Sequence, residues 1–147
     1  MGSCNVRAQP SIAQLKLMHT TYILGDAEGQ RRSLVGACVL IVEDEPVIAL
    51  DLHAALSGAG AGIIAATNAT EALRLICRND ISAAVLDIRL GDRDCSAVCQ
   101  ALSDYRVPFL FHTAYASAAI RQAWPQVPLL IKPVTHQEIV ARVAQLM

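Results

Sequence analysis

Aromatic residues are scarce in this chain: two Phe, three Tyr and one Trp make up 4% of 147 residues. Packing therefore falls to Ala, Val, Leu and Ile, and with apolar residues at 54% there are enough of them for a single-domain core. Charge is thin as well, at 17% against roughly 25% in an ordinary globular domain. A net charge of −1 with no basic stripe argues against nucleic acid as a partner. No apolar run approaches the roughly 18 residues of a membrane span. Gln14, Lys16 and His19 interrupt the only apolar stretch near the N-terminus, so neither a signal peptide nor a membrane helix is expected, and the expected location is cytoplasmic. The five cysteines (Cys4, Cys38, Cys77, Cys95, Cys99) form no C-x-x-C pair and no even-numbered secreted framework. Cys95 and Cys99 are spaced to share a helix face, where a metal pair is conceivable, but ordinary half-buried thiols are the expectation. Lysine is nearly absent. Ten of the twelve basic residues are arginines, which leaves Lys16 and Lys132 to be explained.

Residues 1–35 are mixed in polarity and carry one short helix-like patch at Ile12, Leu15 and Met18. They read as an extension, expected to be flexible, that could cover an apolar surface, with Met1 and Met18 both open as the start of translation. From Leu34 onward strands and helices alternate. Val39–Val42 is a continuous apolar run, as in a strand buried on both faces, and Pro46 opens a helix to about Ser57 that Gly58 and Gly60 stop. Ile63–Ala66 is a second strand. Asn68 with Glu71 then makes a capping box for a second helix that ends at Asn79-Asp80. Ala83–Leu86 is the third strand, Cys95–Leu102 a helix, Val107–His112 the fourth strand, and Ser117–Ala123 a short helix ending near Pro125. Val127–Ile131 is the fifth strand, and Thr135 with Glu138 caps a final helix. This (βα)5 order, with right-handed crossovers, predicts an α/β doubly wound five-stranded parallel sheet over residues 36–147.

Ligands in such sheets bind beyond the carboxyl ends of the strands. Three charged clusters fall there: Glu43-Asp44-Glu45 after the first strand, Asp87 after the third and Lys132-Pro133 after the fifth. A carboxylate at the exit of a buried strand needs charges or hydrogen bonds to receive it. Glu43, Asp44 and Asp87 together would repel one another unless a cation intervenes. Oxygen ligands in a shallow, wet site suit Mg²⁺. Lys132 adds a fixed positive charge and Thr113 a hydroxyl, a set that fits a phosphoryl group moving onto Asp87.

The segments Val39-Leu40-Ile41-Val42-Glu43-Asp44-Glu45-Pro46, Ala84-Val85-Leu86-Asp87-Ile88, Thr113-Ala114 and Lys132-Pro133 resemble the receiver domain of two-component response regulators, a flavodoxin-like fold. The resemblance covers about 36–147, with Asp44 and Asp87 43 positions apart. It implies that Asp87 accepts phosphate from a kinase histidine. It also implies that Glu43 and Asp44 hold Mg²⁺ together with Asp87 and the main-chain carbonyl of Arg89. Thr113 and Lys132 would contact the phosphoryl group, and the Lys132-Pro133 bond would be cis. The sequence departs from the common pattern at Leu129, where the family usually carries a switching Tyr or Phe. Pro108-Phe109-Leu110-Phe111-His112-Thr113-Ala114-Tyr115 is similar to a Pro-Phe-x-Phe-x-Thr-x-Tyr motif of a stand-alone subgroup, although that subgroup usually has Gly at the Ala114 place. Through it the switch would pass to Thr113 and Tyr115.

Other residues have plainer readings. Asp92 and Asp94 are turn or cap carboxylates, Glu45 a solvated helix start, and Arg89 a solvent-facing side chain at the pocket rim. His112 is a satisfied strand histidine, His53 and His136 are surface residues, and Trp124 anchors the short helix. The expected function is a single-domain response regulator with no output domain after Met147. It is not an enzyme beyond self-catalysed phosphorylation and dephosphorylation. It would be phosphorylated by a histidine kinase or histidine phosphotransfer protein and would signal to a downstream protein as a monomer or weak dimer. The alternative is an interaction module with the same fold that needs no phosphate. An aspartate-nucleophile hydrolase would want a second acid two residues after Asp87, where Arg89 stands instead.

Overall fold

The computed structural model describes residues 33–147 apart from Asp92. Residues 1–32 of the expected extension 1–35, its patch at Ile12, Leu15 and Met18, and the turn role of Asp92 lie outside the described residues, while Leu34 is buried in the core and so belongs to the domain. From Cys38 the elements run β1 (Cys38–Val42), α1 (Pro46–Gly58), β2 (Gly62–Ala66), α2 (Ala69–Arg78), β3 (Ala83–Leu86), β4 (Arg89–Leu90), β5 (Arg93–Asp94), α3 (Ser96–Asp104), β6 (Phe109–Thr113), α4 (Ala118–Ala123), β7 (Leu129–Ile131) and α5 (His136–Leu146).

Five strands form one parallel sheet in the order β2-β1-β3-β6-β7. Strands β1, β3 and β6 are buried along their whole length, which is why they read as unbroken apolar runs. Side chains alternate between the two faces. Leu40, Val42, Ala84, Leu86, Phe109 and Phe111 pack with residues of α2, α3 and α4. Val39, Ile41, Val85, Leu110 and Leu130 pack with α1 and α5. Phe109 stacks edge-on against both Phe111 and Trp124, so the few aromatics gather beside α4 and Trp124 anchors it.

Most element boundaries follow from local chemistry. The Asn68 side chain accepts from the Glu71 amide, and Glu71 in turn accepts from the Thr67 amide, so the capping box closes one residue earlier than expected. Thr135 caps α5 by accepting from the Glu138 amide. The fourth and fifth sheet strands start two residues later than predicted, because Pro108 and Pro128 contribute only carbonyls, to Ala84 and Phe111. Helix α3 runs past Leu102 to Asp104. It is stopped by Arg106 at φ 57, after which Val107 donates back to Leu102.

A glycine usually fills that left-handed position. Exposed Arg106→Gly is therefore expected to raise stability by about 0.5–1 kcal/mol in urea melts, through relief of the strain that a Cβ suffers there. A loss of stability would mean that the Arg106 side chain holds the turn.

Helix α1 has apolar residues on its outer side as well as its inner one. Leu52, Ala55 and Leu56 face the sheet, while Val47 and Leu50 stand 79% and 70% exposed. No described helix is long and apolar enough to cross a membrane.

Candidate functional site

The chain passes from β1 outward to β2 and returns to β3 on the opposite side of β1, so the sheet's switch point lies between β1 and β3. Val42 pairs with Leu86, which sets the next residues, Glu43 and Asp87, side by side beyond the strand ends. The Asp87 amide donates to the Val42 carbonyl at 3.0 Å and closes that junction. Across the sheet, Thr113 ends β6 opposite Ile131, and the Lys132 amide donates to the Thr113 carbonyl at 2.8 Å. The Lys132-Pro133 bond is cis. The Lys132 side chain reaches across to Asp87.

Oxygens of Glu43, Asp44 and Asp87 lie within 4.8 Å of one another. Each carboxylate is pinned by a main-chain amide. Glu43 Oε1 accepts from Glu45, Asp44 Oδ2 from Gly91 and Asp87 Oδ1 from Arg89. Lys132 Nζ donates to Glu43 Oε2 at 2.7 Å and to Asp87 Oδ2 at 2.8 Å. Glu43 and Asp87 are buried, at 1% and 7% exposure, while Asp44 is more open. Burial pushes the Glu43 carboxyl above its ordinary value and Asp87 adds to the rise, against the opposing pull of Lys132 and the Glu45 amide. Burial alone would lower Lys132, but its hydrogen bonds to Asp87 and Glu43 outweigh it and hold the ammonium above its usual value. Three ionised carboxylates against one ammonium leave two negative charges. That excess, on hard oxygen donors held in place by amides, fits a divalent cation such as Mg²⁺.

The structure brings together Glu43, Asp44, Asp87 and Lys132, as the sequence predicted. The Arg89 side chain is exposed at the rim, its amide turned to Asp87. Glu45 is exposed at the start of α1, and His53 and His136 are surface residues. Thr113 differs from expectation. Its buried hydroxyl donates to the Tyr115 carbonyl and accepts from the Tyr115 amide, which ties it to the following loop instead of offering it to Asp87. Tyr115 itself is 69% exposed.

His112 corrects the sequence reading. It is buried and its Nδ1 has no hydrogen-bond partner, because the ring shares its sheet face with Leu110 and the apolar α1–α5 layer. Burial, with help from the Lys132 charge, pulls its pKa down to about 4 against the opposing Asp87 and Asp51 charges. Cys95 and Cys99 are fully buried, not half-buried, with their sulfurs 3.7 Å apart. The hydrogen bond to Cys95, together with burial, pushes the Cys99 thiol far up, which disfavours the thiolate a metal would need.

Sequence reasoning missed the β4–β5 ribbon, in which Arg89 pairs with Asp94 and Leu90 with Arg93. Its turn begins at Gly91, at φ 69, whose amide holds Asp44. The signal was present: Gly91-Asp92 between two short segments is a hairpin-turn pair. Asp94, the last residue of β5, accepts from the Ser96 amide two residues on, a turn that leads into α3.

The fold and this acid–lysine site define a receiver. The profile of the response regulator receiver domain matches residues 39–144, and the chain belongs to that family. It is similar to the phyllosphere-induced regulator PhyR of Methylorubrum extorquens, with 35% identity over 112 residues, 73% of this chain and 42% of that protein. It is also similar to the probable transcriptional regulator ycf27 of Guillardia theta, with 32% identity over 109 residues, 71% and 43% of the two chains. The chain thus spans less than half the length of these curated relatives. Among solved structures, a response regulator receiver protein of Sinorhizobium medicae matches with TM-score 0.69 and 23% identity over 75% of this chain and 93% of that one. The chemotaxis protein CheY4 of Vibrio cholerae matches with TM-score 0.69 and 21% identity over 76% and 98%. These two show the shared five-stranded fold.

Proposed function

We propose that this chain acts as the phosphoaccepting receiver of a cytoplasmic phosphorelay, with Asp87 as its phosphoacceptor. The observation that carries the reading is Lys132 Nζ bridging Asp87 and Glu43 inside a cluster of three amide-pinned carboxylates. A phosphohistidine on a kinase or phosphotransfer protein is the donor. Asp87 Oδ forms the new O–P bond as the P–N bond breaks, and the leaving imidazole recovers its proton. Lys132 would neutralise charge on an equatorial phosphoryl oxygen, off the line that joins the Asp87 oxygen and the leaving nitrogen. Glu43, Asp44, Asp87 and the Arg89 carbonyl would hold Mg²⁺, which supplies charge neutralisation between phosphoryl group and carboxylates. The protein turns over no separate substrate; its chemistry is the gain and loss of its own phosphoryl group.

The signal runs through Thr113. In the unmodified protein its hydroxyl is spent on the Tyr115 backbone. A phosphoryl group on Asp87 offers it a charged acceptor, stronger than either of those bonds. Its move frees the loop, and Tyr115 borders a cleft of about 470 Å³ between Arg89, Asp94, Ser117 and Ile120 that can receive a ring. Output passes to a downstream protein through this face, with a coupling of about 1–3 kcal/mol.

Incubation with a small phosphodonor and Mg²⁺ should add one phosphoryl mass to the protein. Asp87→Asn and omission of Mg²⁺ should each abolish it, and persistent labelling of Asp87→Asn would sink the assignment. A phosphate-independent interaction module is the second reading, favoured by Leu129, which packs half-buried against the core where the family's switching aromatic usually stands. It predicts that partner binding is indifferent to Asp87→Asn.

A further inference from the structure

A cleft of about 820 Å³ opens at the starts of β6 and β7, at the opposite end of the parallel sheet from Asp87. That volume is in the range of small-molecule sites. Phe109 and half-buried Trp124 line it, packed edge-on with ring centroids 5.7 Å apart, and Val107 and Val127 extend the apolar wall. Three prolines in the same wall stiffen its backbone, so little ordering is left for a ligand to impose.

One formal charge lines the cleft, the guanidinium of Arg106. Among the described residues this exposed side chain makes no hydrogen bond and no ion pair. Asp104, the acid nearest to it in sequence, accepts from Gln100 Nε2 at 2.9 Å instead. An unpaired surface arginine is ordinary. What sets this one apart is its φ of 57, a conformation that glycine or asparagine adopts more easily. A cation kept there against the backbone's preference marks a use for its side chain. Nor do the helix ends beside the cleft make it acidic. The carbonyls of Ala101, Leu102 and Ser103 at the end of α3 are taken by the amides of Tyr105, Val107 and Arg106. Helix α4 has six residues, too few for a strong dipole, and at the end of α5 the Met147 amide bonds back to Ala144.

We propose that this cleft binds a small amphiphilic monocarboxylate, its apolar body against Phe109 and Trp124 and its carboxylate paired with Arg106. A guanidinium matches a carboxylate with two parallel N–H···O bonds. A compact anion such as phosphate would leave the apolar wall in water, and an uncharged apolar molecule would leave Arg106 unused. Ala123, the last residue of α4, lines both this cleft and the one bordered by Tyr115, so an occupant bears directly on α4. Binding itself needs neither Mg²⁺ nor a phosphoryl group on Asp87, and it stands or falls apart from them.

Trp124 is the only tryptophan of the chain, so its emission reports the cleft directly in the full-length protein. Titration with 4-phenylbutyrate should change that emission saturably, with half the effect at about 1 mM, as expected for a ligand of about 12 non-hydrogen atoms. The uncharged 4-phenylbutyramide, equal in size, should bind about ten-fold more weakly. Arg106→Gly and Arg106→Asn both suit the left-handed turn and remove the charge. Each should bind the acid as weakly as the parent binds the amide, while its urea melt stays at or above that of the parent. No saturable change up to about 20 mM acid would overturn the proposal. So would equal affinity for acid and amide, or an affinity for the acid that both Arg106 variants keep. Emission that shifts with protein concentration before ligand is added would also overturn it, by giving the cleft to a second copy. A short peptide ending in Phe that binds about a hundred-fold tighter than the acid would give it to a partner's C-terminus.

Discussion

Replacing Lys132 with Met is expected to abolish phosphoryl labelling of Asp87 and to lower stability by about 2–3 kcal/mol at pH 7, because it strands Glu43 and Asp87 without a cation. Nothing else in the cluster offers a fixed positive charge, and both acids are buried. Two conditions should recover the lost stability. Mg²⁺ should raise the variant's melting temperature more than that of the parent, since metal now supplies the charge that Lys132 supplied. Acid should help as well. The Glu43 carboxyl is already raised by burial and rises further without its lysine. A carboxyl raised in the folded state binds more protons folded than unfolded, so its contribution to stability is present at low pH and is lost as pH rises through the folded value. Lys132→Met should therefore close the gap with the parent as pH falls toward the carboxylate range. Thermal melts with and without Mg²⁺ from pH 7 to pH 5 test both effects. A variant whose deficit is constant across them would show that Lys132 acts through packing rather than charge.

The second large effect belongs to His112. Its folded pKa is pulled down to about 4 by burial and by Lys132, from an ordinary 6.5. Below 6.5 the unfolded chain takes up a proton that the folded chain refuses, so the folded state loses ground as pH falls and the loss is complete near pH 4. A depression of this size corresponds to about 2–3 kcal/mol once some relaxation of the site is allowed. His112→Leu removes both the titration and the orphaned Nδ1. It should match or exceed the parent at pH 7 and gain about 2–3 kcal/mol on it between pH 6.5 and pH 4. Urea melts of the two proteins across that range check it. Parallel pH profiles would mean that His112 finds a partner and is not a buried neutral ring.

The sequence carried the parts of this molecule that repeat a simple rule. Unbroken apolar runs marked β1, β3 and β6, because a strand buried on both faces has no polar side to show. Asp87 and Lys132 were visible because charge at a buried strand's exit has to be answered, and the chain has only one lysine beyond residue 35. What escaped depended on which way a small group turns. Thr113 occupies the predicted strand end, yet its hydroxyl is claimed by the Tyr115 backbone two residues on, and spacing cannot reveal that competition. His112 sits in a strand pattern that fits either a paired or an unpaired ring; only the apolar layer opposite decides. The β4–β5 ribbon is two residues per strand, too short for periodicity, although it supplies the Gly91 amide that fixes Asp44. Arg106 in the left-handed region was equally hidden, because no glycine announced the end of α3.

The central claim is that the bridged carboxylate at position 87, and no other acid of the cluster, receives the phosphoryl group. Glu43 and Asp44 lie within the same 4.8 Å, so intact mass alone does not separate them. Reducing the phosphorylated protein with borohydride turns an aspartyl phosphate into homoserine, a change that peptide sequencing by mass spectrometry places on one residue. The account predicts homoserine at position 87 alone, formed only when Mg²⁺ was present during phosphorylation. Homoserine at position 44, the corresponding reduced product at Glu43, or a phosphorylated protein with position 87 untouched would contradict it.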